Sequence, residues 1–399
     1  MTSDLAQLGF LLFVSALVAM LTRRVHLPYT VGLVLAGMAL YFSHVYIKWH
    51  LSKDLIFSVF LPPLVFEAAL FIHWREFRKE LPVVTLLATV GVVVAATVTA
   101  SGMHYAAAWD WGSAIIFGTL IAATDPVSVI ATFKESNVHG RLRMLIESES
   151  LLNDGTAAVA FVAVLEMLAG GHATTLSIGG ALVVTIIGGV AIGGTLAYLL
   201  MLLAGRTPDY LVEITFTTLA AYSSFFLAEH YHCSGVLAAL TAGLVVGNFR
   251  SSGSISAAGR HALGPFWEYL AFVANSLIFL LIGSQLAEQH FRGLWGPVCF
   301  AIVLVTLGRA VAIYPLCAVF ARSRLKVDLG NQHMLFWGGL RGALALALAL
   351  SLPDALPHQN DIVVITFAVV AFSVFVQGLT IPLLLRRLGQ IKQSASHAG

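Results

Sequence analysis

The sequence predicts an all-α polytopic membrane protein of 13 transmembrane helices, arranged as two inverted six-helix repeats. Three observations predict it. First, of 399 residues 58% are hydrophobic and 11% are charged, against about 25% charged in soluble domains. So few charges could not cover the surface of a soluble protein of this size. Second, apolar runs of about 20 residues, the length that crosses a bilayer as a helix, recur along the whole chain. Third, the basic residues between these runs fall almost entirely on alternate sides. The same composition excludes a disordered chain, a coiled coil and a disulfide scaffold. A net charge of +2 gives no reason to expect nucleic acid as a partner; the expected surroundings are membrane lipid. Cys233, Cys299 and Cys317 are scattered without metal-ligand spacing and read as packing residues.

The runs, taken in order, are 5–21, 28–43, 54–73, 81–102, 110–132, 146–169, 177–204, 209–230, 235–249, 265–287, 293–321, 331–352 and 361–385. No basic residue precedes the first, and Arg23 and Arg24 follow it. It is therefore expected to be a retained span rather than a cleaved leader. The second and ninth are short for a full crossing. The seventh is rich in glycine. Gly189 and Gly193 there, and Gly243 and Gly247 in the ninth, make small-xxx-small faces suited to close helix contact. The loops are too short to hold a soluble domain, and the tail after Arg387 is expected to be short.

Cytoplasmic loops retain basic residues. Thirteen spans put the termini on opposite sides. The loops on the N-terminal side hold only Lys48, Lys53 and Arg292, and the opposite side holds seventeen of the 22 Lys and Arg residues. Those seventeen run from Arg23 and Arg24 through Arg75, Arg141, Arg260 and Lys326 to Arg386, Arg387 and Lys392. The remaining two, Arg309 and Arg341, lie within runs. The expected topology has the N-terminus outside and the C-terminus in the cytoplasm. A missed span would scramble this sorting.

Ionisable side chains in hydrocarbon cost a few kcal/mol or more and mark functional sites by default. Glu67 lies in the third run, Asp125 in the fifth, Glu149 and Asp154 in the sixth, Arg309 in the eleventh and Arg341 in the twelfth. Counting from the cytoplasmic ends, Glu67, Asp125 and Asp154 all lie at a depth of roughly 10 Å at 1.5 Å per residue. Three acids at one level suggest one polar site. Glu149 and Arg309 fit a structural pair that locks helices together. Glu166, Glu213 and Glu268 lie near run ends and read as interfacial; the histidines receive no role.

The local chemistry suits a hard cation. Ala123-Thr124-Asp125-Pro126 should break its helix, because Pro126 lacks an N–H and collides with the preceding turn. The break frees carbonyl oxygens beside the Asp125 carboxylate. Ser150 and Asp154 are four apart and share a helix face. Carboxylate, hydroxyl and carbonyl oxygens suit an alkali cation better than a soft transition metal. Gly338-Gly339-Leu340-Arg341-Gly342 reads as a second interruption, since glycine is costly in a helix; close helix packing is the other reading of those glycines. Runs 1–6 and 8–13 form two sets that enter the membrane from opposite faces, and the interrupted span is the fifth of each. Matched interruptions in inverted halves are the sequence pointer to a transporter binding site, with helix dipoles of opposing sign at the break.

Phe66-Glu67-Ala68-Ala69, Ala123-Thr124-Asp125-Pro126-Val127, Glu149-Ser150-Leu151-Leu152-Asn153-Asp154-Gly155, Asn275-Ser276, Gly308-Arg309 and Gly338-Gly339-Leu340-Arg341-Gly342 together resemble the sodium/proton antiporters of the monovalent cation:proton antiporter-1 family. That group includes bacterial and archaeal antiporters and animal sodium/proton exchangers, and the likeness covers nearly the whole chain. It implies dimerisation-domain helices in 1–76 and 207–290, core helices in 77–172 and 291–388, a linker helix in 173–206 and a short tail in 389–399. In the core, the interrupted helices would cross. The resemblance also implies a homodimer in the cell membrane, with no cofactor beyond the transported Na+ and H+. Asp154 would be the carboxylate that carries either a proton or a sodium ion. Asp125, Ser150, Glu67, the Thr124 carbonyl and Asn153 would complete the site. Asn153 followed by Asp154 matches the electroneutral members. Glu149 and Arg309 would form a stabilising ion pair, and Arg341 would balance charge at the break. The expected activity is electroneutral exchange of one cation per proton.

Rival readings are a K+/H+ antiporter of the same fold and a cation channel. A channel needs a continuous polar path, yet the acids occupy one layer. An intramembrane aspartyl protease lacks its Gly-x-Gly-Asp motif here, and a zinc peptidase lacks His-Glu-x-x-His. Sequence spacing does not choose among Na+, Li+ and K+.

Overall fold

The computed structural model describes residues 2–25, 27–44, 49, 51–135, 138, 140–168, 175–251, 255–291 and 293–389. Lys48, Arg292, Lys392 and the tail from 390 onward, all used in the topology expectation, lie outside the described residues. The chain is a multi-pass membrane protein built from helices.

The helices follow in order. α1 is Thr2–Val25 and α2 Tyr29–Phe42. α3 (Lys53–Leu55) leads through a π-helical stretch, Ile56–Phe60, into α4 (Leu61–Leu70). α5 is Trp74–Ala107, α6 Trp111–Leu120, α7 Val127–Glu135 and α8 Arg141–Leu168. α9 is Thr175–Ala204, α10 Tyr210–His230, α11 Gly235–Ser251 and α12 Ala257–Glu288. α13 is Trp295–Val319, α14 Leu329–Trp337 and α15 Ala343–Leu350. α16 (Gln359–Phe372), a π-helical stretch Ser373–Gly378 and α17 (Leu379–Arg387) form one continuous rod. Among the described residues, eight helical stretches are long and apolar enough to cross a membrane, and α2, α6 and the apolar part of α11 are shorter companions.

The helices outrun their apolar cores. α5 begins at Trp74 rather than near 81, and α12 at Ala257 rather than near 265. Their first turns carry charges such as Arg75, Arg78 and Arg260, which end a hydrophobic run but do not end a helix. The π-helical stretch before α4 has no hydropathy signal. It precedes Pro62 and Pro63, whose missing amides already disturb the ladder, and Leu61 N–H reaches back five residues to the Ile56 carbonyl.

Three apolar clusters organise the packing. One joins α4 to α8 with α13 to α17; a second joins α1, α2 and α12 with α15 and α16; a third gathers α4, α9, α10, α11 and α12. The small-residue faces act as expected. A Cβ added at Gly189 would meet the backbone of Ser234, just before α11, one at Gly193 would meet the α11 backbone, and one at Gly243 or Gly247 would meet the α4 backbone. α11 therefore lies in close backbone contact with both α9 and α4. Glu213 departs from its interfacial expectation. It is 1% exposed and ties α10 to the start of α12, accepting hydrogen bonds from Ser256 N–H and Ser256 Oγ, each at 2.8 Å. The physical reason is local: Ser256 caps α12, and Glu213 supplies the acceptor that completes the cap.

Candidate functional site

Both expected interruptions are present, and they cross. α6 ends at Leu120, a turn follows, and Ala123 to Pro126 run without helical structure before α7 begins. α14 ends at Trp337, and Gly338 to Gly342 separate it from α15. At the crossing Asp125 N–H donates to the Leu340 carbonyl at 2.8 Å. This is an isolated antiparallel bridge. One peptide hydrogen bond thus couples two segments that are more than 200 residues apart in sequence, and it satisfies two backbone groups that broken helices would otherwise leave bare in an apolar medium.

Four half-helix ends meet here, and charge answers three of them. Asp125 Oδ1 accepts from Val127 N–H at 2.9 Å and so caps the positive start of α7. Asp125 also packs against Gly342 at the start of α15, where an added Cβ would overlap the carboxylate. At the negative end of α14, Arg309 donates to the Leu335 carbonyl through Nε at 3.3 Å and NH2 at 3.0 Å. Arg341 NH1 donates to the Gly339 carbonyl at 2.5 Å. Acid therefore faces helix starts, and base faces the end of α14.

α8 runs past this crossing. Asp154, 9% exposed, shares with Thr124 and Asp125 the wall of a cavity of about 60 Å³. The rest of the cavity is apolar except for Asn275 of α12. Ser150 Oγ and Thr124 Oγ1 are hydrogen-bonded at 3.1 Å. Asn153 Nδ2 donates to Thr124 Oγ1 at 3.2 Å and to Glu149 Oε1 at 3.3 Å. Glu149 forms a bidentate pair with Arg309, at 2.7 and 2.8 Å. Asp154 Oδ1 and Asn153 Oδ1 have no hydrogen-bond partner among the described residues.

Asp154, Asp125, Thr124, Ser150, Asn153, Glu149 and Arg309 are thus one connected constellation, with Arg341 on its far side at the α14 end. Glu67 stands slightly apart. It is half-buried on α4, while Leu64, Val65 and Ala68 of that helix line the cavity. Among the described residues, no three acidic, histidine or cysteine side chains converge closely enough to hold a metal. The carboxylate and hydroxyl oxygens at the cavity are hard ligands, suited to a hard cation rather than a soft transition metal. The grip of Arg309 on the α14 carbonyl carried no distinct sequence signal, and the Asn275-Ser276 pair, visible as a motif, did not by itself indicate a place on the cavity wall.

Comparison with known proteins agrees with this geometry. The family described as sodium/hydrogen exchanger, transmembrane, matches residues 10–387. The low-affinity Na(+)/H(+) antiporter NhaS1 of Synechocystis is 38% identical over 398 residues, covering 97% of this chain and 75% of that protein. The Na(+)/H(+) antiporter NhaH of Halobacillus dabanensis is 32% identical, over 96% of this chain and 98% of that protein. The structure of the sodium proton antiporter MjNhaP1 from Methanocaldococcus jannaschii at pH 8 superposes with a TM-score of 0.78 at 18% identity, covering 97% of this chain and 99% of that one.

Proposed function

The chain belongs to the sodium/hydrogen exchanger family, and from that premise we propose that it is a secondary active antiporter exchanging Na+ for H+ at Asp154. The observation that carries the proposal is the shared cavity wall of Asp154, Asp125 and Thr124 beside the crossing of two broken helices. In this reading Asp154 holds a proton or a sodium ion, never both. Asp125, Ser150, Thr124 and Asn153 form the surrounding shell, with Glu67 its outermost member. Glu149 and Arg309 hold α8 to α13, and Arg341 offsets the end of α14.

Coupling follows from electrostatics. An ionised, unoccupied carboxylate costs several kcal/mol to carry through hydrocarbon. A proton or a cation removes that cost. The loaded site therefore moves and the empty site does not, which makes the two fluxes obligatory partners. One carboxylate cycling between two monovalent cargoes gives one cation per proton and no net current.

The proposed architecture counts each interrupted or π-bulged rod as one crossing, which gives 13 spans in two inverted repeats around α9. Core helices in 77–172 and 291–388 would move against dimerisation helices in 1–76 and 207–290. The protein would act as a homodimer in the cell membrane, N-terminus outside and C-terminus in the cytoplasm, without a cofactor.

The test is reconstitution. Vesicles holding the protein and a pH-sensitive dye should change internal pH when sodium is added, and Asp154→Asn should abolish the response while the protein remains folded. Sodium-coupled pH change surviving in that variant overturns the proposal.

A further inference from the structure

The cavity's polar lining comes from few residues. Asp154, Asp125 and Thr124 come from α8 and the first helix break, and the one polar side chain among the other lining residues is Asn275 of α12. α12 is not broken at this level. It is a 32-residue helix in close backbone contact with α2. A Cβ added at Gly37 would meet the Leu280 carbonyl, and one at Gly283 would meet the Val34 carbonyl. The neighbouring residue, Ser276, is already committed to structure. Its hydroxyl is 2.7 Å from Tyr29 OH and donates to the Phe272 carbonyl. The Tyr29 ring stacks on Phe272 with centroids 5.4 Å apart. These contacts fix the rotation of α12 and leave Asn275 on the cavity wall.

We infer that Asn275 is a cation-specificity residue, supplying a neutral amide oxygen to the transported ion from the α12 part of the cavity wall that Asp154 also lines. The inference rests on the proposed antiport at Asp154. A carboxamide oxygen is a hard ligand for an alkali cation. It carries no titratable proton, so it adds affinity for the metal ion without adding a competing proton site. Its effect therefore falls on one cargo and not on the other. A ligand held on a closely packed helix cannot follow a smaller or larger ion freely, and selectivity among hard cations depends on such rigidity. If α12 stays still while α8 moves, the amide also reaches the ion only over part of the cycle.

The experiment compares wild type, Asn275→Ala and Asn275→Ser in dye-loaded vesicles, titrating sodium and then lithium at several pH values. In Asn275→Ala the half-saturating sodium concentration should rise on the order of tenfold, as loss of one ligand implies. The maximal rate, and the proton dependence measured at the same multiple of each variant's half-saturating sodium concentration, should stay near wild type, and the sodium-to-lithium preference should change. Asn275→Ser keeps an oxygen and should recover part of the affinity. If the alanine variant is not recovered folded, the near-isosteric Asn275→Leu is used for the same titration. Unchanged half-saturation and preference, or a fall in maximal rate alone, overturns the inference. Wild-type vesicles that show no sodium-driven pH change overturn the antiport reading itself, so the two failures are distinct.

Discussion

Glu149 and Arg309 show how buried charges can be retained. Each Glu149 oxygen meets one Arg309 nitrogen, Asn153 adds a donor to the carboxylate, and the Leu335 carbonyl accepts from Nε and NH2 of the guanidinium. Removing one partner strands a buried charge and costs about 3–5 kcal/mol, whereas replacing both by apolar groups of similar shape can be neutral or stabilising. Glu149→Gln should therefore lower the thermal midpoint in detergent markedly. Pairing Glu149→Leu with Arg309→Met should recover much of the loss, although not activity, because Arg309 also answers the end of α14. A double variant as unstable as the single one would mean that the pair is not the unit that matters. Asp154 is buried in a different way. One of its oxygens has no hydrogen-bond partner among the described residues, whereas both oxygens of Glu149 are paired.

Among the elements, the two broken helices matter most. Their crossing depends on a peptide bond-to-peptide bond contact and on the space left by Gly342, since a Cβ there would run into Asp125. Asp125 cannot swing clear without giving up its cap on α7. Gly342→Ala should displace the carboxylate by a fraction of an ångström to an ångström, and misplacement on that scale can cost roughly 100-fold in rate. Transport measured on folded, reconstituted protein tests this, with Gly180→Ala as a control because nothing lies near its added Cβ. Activity unchanged in Gly342→Ala would show that the crossing tolerates more play than its geometry implies. The sequence announced these breaks clearly: Pro126 and the triple glycine are local features with local consequences. It did not announce the two π-helical stretches, and it placed the starts of α5 and α12 too late. Hydropathy measures where lipid is tolerated, not where the backbone ladder begins.

For the whole molecule, the proposed competition at a single carboxylate has two consequences. Raising the proton concentration should raise the half-saturating sodium concentration, and sodium should shift the proton dependence reciprocally, as linkage between two ligands of one site requires. Imposing a membrane potential across the vesicles should leave the exchange rate unchanged; a steep dependence would mean a stoichiometry other than one to one. The topology is testable independently. Ser323, between α13 and α14, and Asp354, between α15 and α16, are both exposed. In the proposed orientation, a cysteine at Ser323 should be shielded in intact cells from a membrane-impermeant thiol reagent, and one at Asp354 should be labelled. The reverse pattern would invert the molecule.

From its sequence alone this protein is fixed as a membrane-embedded helical bundle with two interrupted spans, a biased set of basic loops and a short roster of acids and arginines at one depth. Those properties follow from composition and from spacing within single helices, which is what a linear chain encodes directly. Tertiary structure decided the rest. Asp125 meets Leu340, Arg309 grips both Glu149 and the last turn of α14, Asn275 and Asp154 line one cavity, and Glu67 is not among the residues of its wall. Contacts between residues a hundred or more positions apart depend on how helices rotate and pack against one another, and a rotation of one residue's worth, about 100° in an α-helix, separates Glu67 from Ala68.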